Sequence, residues 1–238
     1  MTLLRRILLA ALLGGALAGV FAAVLHQFAT VPLILEAETY ELAAEHAAPH
    51  TAPAPSPAAA DHHHAHGDAW APEEGAERVA YTLAADMLVG IGFALLLAAG
   101  MVLRGGEIAW RKGLLWGLAG FLAFTVAPGL GLPPDLPGND AGPLLARQLW
   151  WAATAVMTAG ALALLAFTRH KLTAVAAVAL LALPHLYGAP PLPSEEGAAP
   201  ASLARQFIVT ATVASLLFWA ALGAATGYFY GRFGHRGA

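Results

Sequence analysis

Residues Met1–Ala29 read MTLLRRILLAALLGGALAGVFAAVLHQFA: two arginines, then an apolar run from Ile7 to Leu25 without a charge in it. Nineteen residues at about 1.5 Å each make a helix of about 28 Å, close to the ~30 Å hydrocarbon thickness of a bilayer. A cleaved signal peptide has a shorter apolar core and a clear small-residue cleavage site, so this run is expected to remain as a membrane helix. Outward from it the pattern repeats. With the first span at about 7–29, apolar segments follow at about 83–103, 113–130, 148–167, 172–187 and 207–230.

Composition agrees, since 58% hydrophobic residues, 11% charged residues and a mean hydropathy of +0.64 leave too little polar surface to cover a water-soluble globule. Six spans use most of the 238 residues, so the expectation is one integral membrane domain, 1–238, with no second soluble domain. The expected fold class is all-α: a polytopic bundle of about six transmembrane helices in three hairpins. Cysteine is absent, which excludes disulfides, thiolate metal sites and cysteine nucleophiles.

Lysine and arginine flanking a span in short loops stay on the cytoplasmic side. With the N-terminus inside, nine of the twelve basic residues fall on the inner face: Arg5, Arg6, Arg104, Arg111, Lys112, Arg169, Lys171, Arg232 and Arg236. Of the fifteen carboxylates only Glu107 falls there, Asp86 lies inside the second helix, and thirteen lie on outer loops. An even number of spans with both termini cytoplasmic accounts for this asymmetry, and the expected location is a cytoplasmic membrane, crossed several times.

The three outer arginines, Arg78, Arg147 and Arg205, each precede a segment that runs back inward. Two share the string LARQ, at Leu145–Gln148 and Leu203–Gln206. Upstream of each lies a proline-rich bend, PGLGLPPDLP from Pro128 and PHLYGAPPLP from Pro184, so outward helix, bend, loop and inward helix recur in order. Proline leaves both outward helices short. Short or proline-interrupted helices at corresponding positions of two repeats point to a substrate path, because the broken end offers unpaired carbonyls to a cation. On this reading Pro128, Pro184, Arg147 and Arg205 shape the path; proline ending a helix at the interface, and arginine snorkelling or pairing with outer carboxylates, are the simpler alternatives.

Between the first two spans, from His26 to Asp86, seven histidines and ten carboxylates stand against one arginine, a composition suited to divalent cations. The loop 46–72 is rich in His, Pro and Ala, and its string DHHHAHGD sets His62, His63, His64 and His66 within five residues. Such a stretch is expected to act as a metal-concentrating tether that cannot select the metal, since imidazole binds Co, Ni, Cu and Zn in the usual order of affinity. Low-complexity drift is the plainer reading. In VPLILEAETYELAAEH, Pro32 is expected to start a short interfacial helix on which Glu38, Glu41 and Glu45 fall within about 60° of one another. They repel unless a cation or Arg78 lies opposite; a solvated acidic face is the bland alternative. His26, Asp86 and His185 are placed at one depth at the outer boundary, where two imidazoles and a carboxylate form an incomplete shell for a borderline divalent ion. Snorkelling or a helix–helix hydrogen bond would serve each of them equally well.

The glycine spacings Gly15/Gly19, Gly113/Gly117 and Gly223/Gly227/Gly231 read as close-packing faces, or as a surface for another membrane subunit. No phosphate-binding loop, dinucleotide fingerprint, HExxH or GxSxG motif is present, so no enzyme activity is expected. For a divalent cation moving inward, a membrane potential of 100 mV supplies roughly 4.6 kcal/mol.

LLRRILLAALLGGALAG, VPLILEAETYE, APGLGLPPDLPG, LPHLYGAPP and RQLWW together resemble CbtA, the proposed cobalt transporter subunit of bacteria, over essentially the whole chain. The resemblance implies a bacterial inner-membrane protein tied to cobalt supply for cobalamin, working with CbtB, a very small single-span subunit. It brings no ligand assignments, so the candidate metal residues stay those argued above: His26, Asp86, His185, His62, His63, His64, His66, Glu38, Glu41 and Glu45. The expected cargo is Co2+, with nothing tightly bound as a cofactor. The expected partners are the bilayer, the CbtB-like subunit and further copies of the chain, and no nucleic acid. The alternatives are a nickel transporter, and a non-transporting metal sensor or assembly scaffold that presents the histidine tract.

Overall fold

A computed structural model of the chain describes residues 2–47, 75–137, 142–191 and 197–235. Of the described residues 86% are helical, and none is in a strand. Helix α1 comprises Leu3–Leu25, a widened π-turn at His26–Thr30, and Val31–Ala47. Helix α2 is Ala76–Arg104, α3 is Trp110–Gly129 with a π-turn at Leu122–Val126, α4 is Leu144–Phe167, α5 is Lys171–Tyr187 and α6 is Ala201–His235. Five of these are long and apolar enough to cross a membrane. At 17 residues, α5 extends about 25 Å, short of the ~30 Å core.

Because lipid is as apolar as leucine, the interior is built of small residues that let backbones touch, while large side chains such as Leu88, Leu103 and Val156 face outward. Helix α1 shows how one sequence face does this. Gly15, Gly19 and Ala22 lie along one stripe, and a methyl group added at Gly15 would meet the backbone of Gly90 and Ile91, while one at Gly19 would meet Asp86 and Met87. On its neighbouring face Gly14 lies against Thr226 of α6. Helix α6 then meets α3 through Gly223 and Gly227 against Gly113 and Gly117. The glycine spacings therefore pack within the chain. The order α2, α1, α6, α3 forms the main body, and α4 and α5 pack mainly on each other.

That pairing differs from the sequence repeat. The two LARQ hairpins are consecutive in the chain, yet α3 packs along α6 and α4 along α5, because the glycine faces lie on α3 and α6 rather than on neighbours in sequence. The second difference is at Pro32. A short interfacial helix starting there was the expectation; instead the helix runs through. A proline inside a helix lacks the N–H for its turn and its ring crowds the carbonyl four residues back. Here the turn just before it is widened, with Val31 N–H donating to the carbonyl of His26, so the helix absorbs the defect. The same device precedes Pro128, where Ala127 N–H donates to Leu122. As a result α1 reaches well past any bilayer, about 67 Å for its 45 residues from Leu3 to Ala47. Its projecting part packs Leu33 and Ala37 against Leu136, Leu203 and Phe207.

At the opposite, basic end, the Arg6 Nε donates to the carbonyl of Tyr230 at 2.7 Å, and the guanidinium lies 3.8 Å above the Tyr230 ring. This ties the start of α1 to the last turns of α6. In the middle, Phe93, Phe124 and Trp219 form an aromatic cluster joining α2, α3 and α6, with ring centroids 4.7–5.5 Å apart.

Candidate metal portal

Four positions on α1, Gly15, Gly19, Ala22 and His26, recur at helical spacing on one face, and Asp86, Gly90 and Ala94 do the same on α2. Because the glycines remove every side chain between the two backbones, the helices approach closely enough for the polar ends of the two stripes to meet. His26 Nδ1 and Asp86 Oδ2 stand 2.9 Å apart, with side-chain exposures of 38% and 18%. A neutral imidazole that donates from Nδ1 to a carboxylate oxygen keeps the lone pair of Nε2 for another partner. His26 lies twenty residues beyond Arg6, about 30 Å along the helix, which sets the pair at the boundary of the apolar core farthest from the basic end.

Further out on the same seam, Arg78 Nη2 donates to Glu38 Oε1 at 3.2 Å, so Glu38 has a cation opposite it. Glu41 is half-buried one turn on, and the side chain of Glu45 lies outside the described residues, as do His62, His63, His64 and His66. His185 sits in the last turn of α5, just after Pro184, its ring edge-on to Trp150 at 6.0 Å between centroids. The Trp150 Nε1 donates to the Pro184 carbonyl at 3.2 Å, which also accepts from the Gly188 N–H at 3.1 Å, and so links α4 to the end of α5. His26 and Asp86 are thus brought together, while His185 belongs to the other helix pair. Among the described residues, no group of three His, Asp or Glu side chains is close enough to hold one metal ion.

Of the path-shaping residues, Pro128 and Pro184 are buried, Arg205 is exposed, and Arg147 is half-buried with its Nε lacking a hydrogen-bond partner among the described residues. Pro128 ends α3 beside a cavity of about 370 Å³ bounded by Thr125, Leu132, Pro134, Trp151, Ile208 and Thr212. Sequence reasoning missed the polar residues of this region. The signal was a pair of segments of the same composition, Phe28-Ala-Thr-Val-Pro32 and Phe124-Thr-Val-Ala-Pro128, in which a threonine two or three residues before the proline lies in each π-turn.

The family model described as "Probable cobalt transporter subunit (CbtA)" matches residues 4–231. No curated protein and no solved structure matches the chain. A helical membrane bundle matched to that model over nearly its full length belongs to the CbtA family of probable cobalt transporter subunits.

Proposed function

We propose that this chain is the multi-pass subunit that takes Co2+ inward across a bacterial inner membrane for cobalamin synthesis, with its basic end and both termini cytoplasmic. The observation that carries the reading is the His26–Asp86 pair at the far boundary of the apolar core, on a seam lined by glutamates. A histidine that ligates a metal through one ring nitrogen usually gives the other ring N–H to a carboxylate, which fixes the tautomer and the ring. Asp86 therefore orients His26, and His26 Nε2 is the ligand. Glu38, Glu41, Glu45 and the tether residues His62, His63, His64 and His66 raise the local cation concentration at the mouth. His185 joins the shell when the α4–α5 pair shifts toward α1, a movement its sparse packing on the main body permits. Pro128, Pro184, Arg147 and Arg205 shape the route. Water and backbone carbonyls complete the coordination.

A small single-span CbtB-like subunit completes the transporter, and copies of the complex associate in the bilayer. A metal sensor or scaffold is the second reading, favoured by the lack of a three-donor cluster among the described residues. The test is uptake of radiolabelled Co2+ by cells expressing the chain with and without the single-span partner, competed by Ni2+. Saturable uptake blocked better by unlabelled cobalt than by nickel supports transport of cobalt. Uptake at background in both arms overturns it in favour of the scaffold.

A further inference from the structure

The α4–α5 pair packs sparsely on the main body, and between α4 and the α2–α3 edge it leaves a groove of about 440 Å³. The groove opens sideways: Leu96, Leu115 and Ala163, one from each of its three helices, line it and are exposed on the outer surface of the bundle. Its lining is aliphatic and aromatic except for Arg104, the last residue of α2, at its basic end.

Three observations define what fits there. The first is depth. From Leu96 to Arg104 is about 12 Å along α2, and from Leu115 to Phe124 about 14 Å along α3. Half of a ~30 Å hydrocarbon core is about 15 Å, the thickness of one leaflet. At its far end Phe124 reaches across toward α4, its ring 6.1 Å from that of Trp151 between centroids. An acyl chain of the leaflet at the basic end needs no more room than this, whereas a spanning helix needs the full thickness and would meet the two rings. The second is charge. Arg104–Lys112 reads RGGEIAWRK, three cations against the single carboxylate of Glu107. Arg104 stands at the mouth, and Arg111 and Lys112 lie one turn before Leu115 and Trp116 on the groove face of α3. Among the described residues no carboxylate pairs with Arg104, whose guanidinium carbon is 5.8 Å from the centre of the Phe167 ring. The third is the aromatic level just inside these cations. Trp116 lies over Gly100 of α2 and edge-on to Phe167 of α4 at 6.4 Å, and Trp110 is exposed at the start of α3, as indoles are at the boundary of headgroups and acyl chains.

We propose that this groove holds one anionic phospholipid of the leaflet at the basic end, with an acyl chain between α2, α3 and α4 and its phosphate on Arg104, Arg111 and Lys112. A guanidinium takes two phosphate oxygens at once, and a basic pocket between membrane helices suits an acidic headgroup. A zwitterionic lipid offsets its phosphate with its own ammonium and gains less from the same cations. The chain fills the space that the helices leave, so the lipid ties the α4–α5 pair to the main body. The site goes beyond the cobalt reading and does not depend on it.

The experiment is native mass spectrometry of the purified full chain in detergent micelles holding dioleoyl phosphatidylglycerol and dioleoyl phosphatidylcholine at equal concentration. Wild type should keep one lipid after the micelle is stripped, with phosphatidylglycerol favoured at least about fivefold, the factor that one basic residue contributes near an anionic headgroup. Arg104→Gln should lower that preference, and adding Arg111→Gln and Lys112→Gln should bring it close to one. Ala163→Leu fills the groove without touching a charge and should lose both lipids. All four positions are exposed, so melting temperatures should stay with wild type, and Ala166→Leu in the same groove stands in if Ala163→Leu melts early. No retained lipid or equal retention of the two in wild type, an unchanged preference in the triple variant, or undiminished retention with the groove filled overturns the proposal. A wild-type dimer that carries no lipid and is lost in Ala163→Leu would assign the groove to a helix of a second copy, and overturns it as well. Because no cobalt enters the assay, its outcome is independent of the uptake experiment above.

Discussion

Replacing Gly223 by Ala tests whether the α3–α6 seam holds the bundle together. A Cβ at Gly223 would lie 2.7 Å from both Cα and N of Gly117, and closer still to the carbonyl oxygen of Gly113. Ordinary carbon contacts begin near 3.4 Å, so the backbones must part by at least about 0.7 Å, and no flexible side chain is there to yield. A gap of 0.5–1 Å forfeits roughly a quarter to a half of each affected van der Waals contact, and in lipid those contacts are what hold helices together. Overpacking of this kind costs about 1–3 kcal/mol. The control is the same substitution at Gly92, where nothing lies within 4 Å and an alanine gains up to about 1 kcal/mol of helix propensity. Thermal melting in detergent, followed by tryptophan emission, should show Gly223→Ala melting well below wild type and Gly92→Ala at or above it. Gly117→Ala added to Gly223→Ala should cost less than the sum, since the helices have already parted. If Gly223→Ala melts with wild type, the seam is not close-packed and the order of helices argued here is wrong.

Three further outcomes follow from single contacts. Arg6→Lys should lower the melting temperature almost as far as Arg6→Ala, because a lysine cannot both reach the Tyr230 carbonyl and lie flat on its ring; the expected loss is about 1–3 kcal/mol. Trp150→Phe keeps an aromatic ring but removes one of two donors to the Pro184 carbonyl, which the Gly188 N–H still serves, and should destabilise the α4–α5 pair by about 0.5–1.5 kcal/mol, read as faster proteolysis of the 171–200 region. Glu38→Gln breaks an ion pair whose partners are each about one-third exposed, so it should change melting by less than about 1 kcal/mol while raising the half-saturation concentration for cobalt severalfold.

The spans were legible because hydropathy and length fix them almost alone. Depth by itself put His26, Asp86 and His185 at one level and could not say which would touch; His26 meets Asp86, while His185 lies against Trp150 in the α4–α5 pair. The continuity of α1 was not legible. Pro32 is a sound helix start by local rules, and only the widened turn before it, a tertiary accommodation, lets the helix pass through. The partners of α3 and α4 were also hidden, because the LARQ repeat pointed to neighbours in sequence while the glycine faces decide packing. The contact between Thr125 and Ser215, ninety residues apart, was hidden too; only the α3–α6 approach brings their hydroxyls together.

The central claim is that His26, oriented by Asp86, is the portal and that the histidine tract only feeds it. The most direct measurement is the concentration dependence of radiolabelled Co2+ uptake for wild type, Asp86→Asn and a deletion of Asp61–Asp68. Asp86→Asn should abolish saturable uptake while leaving the protein in the membrane at normal level, and the deletion should raise the half-saturation concentration with the maximal rate preserved. Normal uptake by Asp86→Asn, together with loss in the deletion, would contradict the account.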